Sequence, residues 1–357
     1  MIRENPTMTS RIAKGAGAFV LALAAWLPLS AAAQQPAAPA QQPAAAAAPQ
    51  QAAPAAVPDW NKPPAWNDVS TKAQYASVPG RETNVLIQGA GHEWRKIRNG
   101  IVTFWGGIIL LIPLVILVLF YLAKGPIKTH DPLTGRLIER FSSVERVAHW
   151  TMGLSFVVLA LTGIVILFGK YILLPIVGHA AFSGLTVLSK NLHNFVGPLF
   201  IFALVIFITL FIRENVWKSY DGAWLGKFGG MLSGEHVPSG KFNAGEKSLF
   251  WILVVGLCTV MSVTGLILNF PNWNQGREAM QLANLIHGGA AILAMAMACG
   301  HIYLGTIGMQ GALAAMKTGY VDETWAREHH QYWYDEVKAG KRHEKVVAGN
   351  AQPATGD

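Results

Sequence analysis

The chain has 357 residues, 52% of them hydrophobic and only 13% charged, with a net charge of +8. Its apolar residues come in long blocks, which excludes a soluble protein with one core and marks an integral membrane protein in a lipid bilayer. The positive charge sits mainly in the loops, where it fits membrane topology and excludes nucleic acid as the partner.

Residues 1–33 read as a secretory signal: a basic start with Arg11 and Lys14, an apolar run from Ala16 to Leu29, and Ser30-Ala31-Ala32-Ala33 before Gln34. Cleavage is expected after Ala33. Residues 34–58 are almost wholly Ala, Pro and Gln and predict a disordered linker, because such a segment buries too little apolar surface to offset its ordering entropy. Residues 59–99 are polar but hold Trp60, Trp66, Tyr75 and Trp94, and are expected to form a periplasmic segment. It reads either as an interfacial loop or as a strap on a partner subunit.

Five spans follow, at about Ile101–Ala123, Ala148–Phe168, His193–Ile212, Leu249–Phe270 and Asn284–Gln310, each near the roughly 20 residues that cross a bilayer. The first (100–124) is an extra N-terminal transmembrane helix. The other four form a domain at 140–320, and 321–357 is a C-terminal tail. Lys124, Lys128, Arg136, Arg140 and Arg146 precede the second span, Lys218, Lys227, Lys241 and Lys247 precede the fourth, and the tail is basic. These charges predict a multi-pass protein of a bacterial inner membrane, with its N-terminus periplasmic after signal cleavage and its C-terminus cytoplasmic. Arg95, Lys96 and Arg98 run against this pattern, since they stand on the side assigned as exported. Cys258 and Cys299 lie inside apolar spans without CxxC spacing, so they read as buried hydrophobes.

Four histidines stand in or at the ends of spans: His149, His193, His287 and His301. An imidazole in hydrocarbon is costly unless something binds it. His287 and His301 are 14 residues apart, about 21 Å along a helix and on roughly one face. Matching depths pairs His149 with His301 and His193 with His287, a layout for two six-coordinate haems stacked across the bilayer. The fold class is therefore an all-α integral membrane protein, a four-helix bundle holding two haems plus the extra N-terminal helix. Gly153, Gly197 and Gly305 each follow a ligand candidate by four residues and leave room for a porphyrin, and Gly163 falls at the level of the other haem. Arg146, three residues before His149, is a candidate partner for a haem propionate. A proton relay would need carboxylates, which the spans lack. The loop histidines, including His130 and His236, receive no ligand role, and His329-His330 is expected to be a solvated pair.

The sequence resembles the gamma subunit, a dihaem cytochrome b, of membrane-bound respiratory formate dehydrogenase. The residues that carry this are Glu145-Arg146-Val147-Ala148-His149-Trp150, Leu192-His193 with Gly197, Lys241-Phe242-Asn243-Ala244-Gly245-Glu246-Lys247 with Phe250-Trp251, Leu285-Ile286-His287, His301-Ile302-Tyr303, and Trp325-Ala326-Arg327-Glu328-His329-His330 with Trp333-Tyr334. The resemblance covers about residues 140–340 and implies two haems b. It also implies a periplasmic iron–sulfur beta subunit and a molybdenum- or tungsten-containing catalytic alpha subunit that oxidises formate. This chain would be the electron-transfer subunit of a formate:quinone oxidoreductase in a respiratory chain. The implied quinone site is Asn243, Gly245, Glu246 and His301, with Glu246 standing where some members have Gln. The four-histidine layout is shared with cytochrome b subunits of nickel–iron hydrogenases, and a redox-inert membrane anchor is the reading from a different class.

Overall fold

The computed structural model describes residues 74–75, 86–87 and 89–348, apart from 232 and 274. The expected signal and Ala/Pro/Gln linker lie outside the described residues, as do Trp60 and Trp66. Five described helices are long and apolar enough to cross a membrane: α1 (Gly91–Lys124), α2 (Ser143–Ile172), α3 (Leu174–Phe211), α4 (Ala244–Asn269) and α5 (Arg277–Gly308). They match the five expected spans and make the chain an all-α integral membrane protein. The helices outrun the apolar windows. Residues 169–192, expected between the second and third spans, continue the helices of α2 and α3, interrupted by the junction at Leu173 and by Gly178 at φ 76°, where glycine escapes Cβ strain.

Two helix starts are built alike. Ser142 Oγ accepts the Glu145 N–H at 3.3 Å, and Glu145 Oε2 accepts the Ser142 N–H at 2.7 Å. At α4, Asn243 Oδ1 accepts the Glu246 N–H at 2.9 Å while Glu246 Oε2 accepts the Asn243 N–H at 2.8 Å. Each is a reciprocal cap that satisfies two otherwise orphaned donors.

α2 packs mainly on α3 and α4 on α5, and α3 meets α4 to close the bundle. Phe200, Leu204, Phe207 and Phe211 of α3 interleave with Phe250, Leu253 and Val254 of α4 and with Ala294 and Ala298 of α5. α1 leans chiefly on α5. Its close approach runs through Gly106, where a Cβ would strike Ile292; the rest of its apolar surface faces outward, as lipid permits.

At one end the bundle carries a folded plate. Its strands β1 (Arg136–Glu139), β2 (Tyr320–Asp322) and β3 (Val346–Ala348) form an antiparallel sheet in the order β2-β1-β3, with Ile138 opposite both Val321 and Val346. Helices α6 (Ala312–Lys317), α7 (Glu323–His329) and α8 (Gln331–Lys338) complete it. β2 crosses the boundary expected between 320 and 321, so the tail is continuous with the bundle. Ile138, Val321, Trp325 and Trp333 are buried in a core that runs on into Phe141 and Phe211.

Buried charges in and beside the plate are paired. Arg140 donates to the Lys241 carbonyl at 2.8 Å and to Glu246 Oε1 at 2.9 Å, and its guanidinium lies 5.1 Å from the centre of the Trp325 ring. Lys247 bonds Asp221 at 2.7 Å with both side chains sealed from solvent. Burial alone would raise the Glu323 carboxyl, but Tyr334 and Lys338 donate to it at 2.7 and 3.1 Å, and with the Arg136 guanidinium they hold it below the ordinary carboxylate range.

The histidine pair of the tail corrects the sequence reading. His330 is only 1% exposed, with its Nδ1 2.7 Å from the Gly240 carbonyl, and Ser239 Oγ donates to the His329 carbonyl at 2.8 Å. The pair is an anchor of the plate on the loop before α4, not a solvated feature. Burial, reinforced by the Arg140 charge, holds His330 well below its usual pKa, so it packs as a neutral ring.

Candidate cofactor site

α5 carries His287 toward the end away from the plate and His301 toward the plate. α3 brings His193 opposite His287 with ring centres 6.1 Å apart, and α2 brings His149 opposite His301 at 6.0 Å. The pairs are those expected from depth. Two metal–imidazole bonds of about 2 Å each, with the half-widths of two five-membered rings, span about 6 Å, so both gaps fit one metal ion. Each pair sits among apolar helices, whose carboxylates, Glu93, Glu145, Glu246 and Glu278, stand only in the first turns. The donor set therefore fits haem iron held by two histidines.

The pair away from the plate is fixed from behind. Thr162 Oγ1 donates to the Val158 carbonyl at 2.8 Å and lies 2.8 Å from His193 Nδ1. Thr264 Oγ1 donates to the Val260 carbonyl at 2.7 Å and lies 3.0 Å from His287 Nδ1. Each hydroxyl has spent its hydrogen on its own helix, so it accepts from the ring. That fixes hydrogen on Nδ1 and leaves the Nε2 lone pair for a metal. The residue after each threonine is a glycine: a Cβ at Gly163 would lie 3.6 Å from His193 Cε1, and one at Gly265 would lie 3.3 Å from His287 Cε1. Thr-Gly thus occurs twice, on α2 and α4, one member as acceptor and the next as clearance. Sequence reasoning missed both threonines, although the repeated Leu161-Thr162-Gly163 and Val263-Thr264-Gly265 was the available signal.

Around this pair lies an apolar cavity of about 180 Å³, lined by His193, His287, Gly163, Gly197 and Gly265 among others. Arg98 of α1 also lines it, with Asn194, Asn269 and Asn284. The Arg98 guanidinium reaches the Ile166 carbonyl at 3.4 Å and Asn99 Oδ1 at 2.9 Å. One of the three basic residues that broke the charge pattern thus turns into the bundle. A Cβ at Gly153, Gly197 or Gly305 would meet nothing within 4 Å, which leaves the room expected there.

The pair beside the plate is held differently. His149 Nδ1 is buried without a hydrogen-bond partner, and the ring lies 6.2 Å from Phe207 and 5.5 Å from Trp150. Arg146 donates to the Lys317 carbonyl at 3.0 Å and to Ser143 Oγ at 3.2 Å, while its Nε is buried and unpaired. Among the expected quinone residues, Asn243 and Glu246 are joined in the cap of α4, and Glu246 is also paired with Arg140. A Cβ at Gly245 would come within 2.9 Å of the Trp224 ring, so this glycine has a packing role of its own.

Known proteins resemble this chain over most of their own length. The chain is 29% identical over 219 residues to the cytochrome b556(Fdn) subunit of the nitrate-inducible formate dehydrogenase of Escherichia coli K12, covering 60% of this chain and 98% of that one. It is 28% identical over 204 residues to the cytochrome b556(fdo) subunit of an E. coli K12 formate dehydrogenase, covering 56% and 93%. It is 27% identical over 219 residues to the formate dehydrogenase cytochrome b556 subunit of Haemophilus influenzae, covering 59% and 87%. The prokaryotic cytochrome b561 family matches residues 140–319, which hold all four histidines, Thr162 and Thr264. With half of its length in that match, the chain belongs to the prokaryotic cytochrome b561 family.

Proposed function

We propose that this chain is the membrane cytochrome b subunit of a formate dehydrogenase, passing electrons from a periplasmic iron–sulfur subunit to quinone near the cytoplasmic face. The observation that carries this is the two facing imidazole pairs, 6.1 and 6.0 Å apart at opposite ends of α5. Family membership implies haem b, and the relatives' names supply the formate dehydrogenase context.

In this reading His193 and His287 hold one haem and His149 and His301 the other. Bound haem would supply one-electron carriage across about 30 Å of hydrocarbon, for which this chain has no other group. Thr162 and Thr264 keep the far imidazoles in the ligating tautomer. Arg98 and Arg146 stand ready to pair with propionates, each at the outer end of its site. The plate faces the cytoplasm of a bacterial inner membrane, and formate oxidation lies on a molybdenum- or tungsten-containing partner subunit.

The quinone site lies at the plate end, at Asn243, Gly245, Glu246 and His301. Asn243 uses its Oδ1 to cap α4, which leaves its Nδ2 to donate to a quinone carbonyl. Asn243→Asp keeps the capping oxygen and removes that donor. It should preserve haem reduction by formate in the assembled complex yet slow haem reoxidation by added quinone; unchanged reoxidation would remove Asn243 from the site.

A reduced-minus-oxidised optical spectrum with haem quantification tests the whole reading. Two haems b per chain are expected. No b-type α-band would leave a redox-inert anchor.

A further inference from the structure

On the plate, three segments distant in sequence converge: the connection after α1 brings His130, the loop before α4 brings His236, and α7 brings Glu328. His130 Nδ1 lies 3.6 Å and His236 Nε2 3.9 Å from the same oxygen, Glu328 Oε2, and the two rings are 4.5 Å apart at 75°. These separations are too long for hydrogen bonds, which close to about 2.7–3.2 Å. They are close to what a metal requires, since ligand atoms on a tetrahedral ion with bonds of about 2.0–2.1 Å stand about 3.3 Å apart.

The carboxylate is held in place. The Glu328 side chain is only 4% exposed, and its oxygens accept the backbone N–H groups of Asp131 at 2.9 Å and His130 at 2.8 Å. Such outer bonds orient a ligand and preserve its direction. The imidazoles, 59% and 44% exposed, leave the fourth side open to water. Two imidazoles and a carboxylate suit zinc and its first-row neighbours better than magnesium or calcium, which prefer all-oxygen shells.

We propose that His130, His236 and Glu328 form a binding site for one divalent transition metal of zinc's class, with water in the fourth position. The ion would staple the connection after α1 to the loop before α4 and to α7, which now meet through side chains of unlike segments. None of these residues lies in the haem bundle, so the site stands or falls independently of the electron-transfer reading.

The test uses the full chain in its assembled complex, stripped with chelator and dialysed against zinc chloride at neutral pH, with bound metal counted by elemental analysis. The comparison is with His130→Ala/His236→Ala, and with His130→Gln/His236→Gln should the alanine form assemble poorly. Wild type should retain one more zinc per chain than either double variant, and each single variant should weaken zinc by at least about tenfold. Zinc should also raise the unfolding temperature of wild type and not of the double variants. Equal zinc on wild type and double variants would overturn the proposal. So would competition by magnesium or calcium at concentrations equal to zinc, which would mark a carboxylate site of the wrong class.

Discussion

At the end of α5 away from the plate, two threonines take the Nδ1 hydrogens of His193 and His287, and two glycines clear space beside the rings. At the plate end, His149 has no Nδ1 partner and is positioned by Phe207, Trp150 and the plate built over it. The ring spacing is nearly the same, 6.1 against 6.0 Å. One end is aligned by hydrogen bonds within the bundle and is reached by a cavity. The other is aligned by packing, next to the polar surface where the caps and buried ion pairs gather. Direction fixed by a hydrogen bond tolerates an open cavity, whereas direction fixed by packing requires a lid.

The largest expected effect breaks one end and spares the other. His193→Ala and His287→Ala should each remove the same haem, and His149→Ala and His301→Ala the other, so haem content falls by about half in every single variant. Redox titration of the α-bands identifies which haem is lost. Loss in any other combination, with the bundle intact, would show that depth pairing is not how this site is built.

A smaller effect sharpens the contrast. Thr162→Val and Thr264→Val keep shape and remove the acceptor behind His193 and His287. Loss of an outer partner typically weakens a metal centre about 10–100-fold. Haem retention and midpoint potential should change at the far end alone, because the plate-side pair has no such threonine. Equal shifts in both haems would mean that the two ends are one unit.

The smallest effect belongs to the plate. The Glu323 carboxyl sits below its ordinary value of 4.5 in the folded chain, so its stabilising contribution is present above 4.5 and lost as pH falls through the folded value. Tyr334→Phe removes one donor to it and should cost about 1.5–3 kcal/mol of local stability near neutral pH. The acid sensitivity of the plate should shrink with it. Hydrogen exchange across residues 320–338 at graded pH measures both.

The contrast also explains what could be read in advance. Five spans were legible because crossing a bilayer imposes a long apolar run, and the 14-residue step from His287 to His301 was legible because helix geometry converts it directly into depth. Thr162 and Thr264 were hidden because threonine in a membrane helix ordinarily bonds its own backbone, as both also do here. The plate was hidden for a different reason. Its strands are three or four residues long, and β1 finds its partners only across the whole bundle. Burial of His330 depends on that pairing, and so does the meeting of His130, His236 and Glu328. No local pattern announces either.

β1 is flanked on both edges by strands from the far end of the chain. During synthesis it emerges roughly 180 residues before β2, a delay on the order of ten seconds or more at about 5–20 residues per second. For that interval Arg136–Glu139 is an unsatisfied edge that any passing strand can join. The sheet closes only after α2, α3, α4 and α5 have all been made, and its third strand ends at Ala348. Until both Tyr320–Asp322 and Val346–Ala348 have been made, β1 stays open on at least one edge, so the plate cannot assemble from the first half of the chain alone.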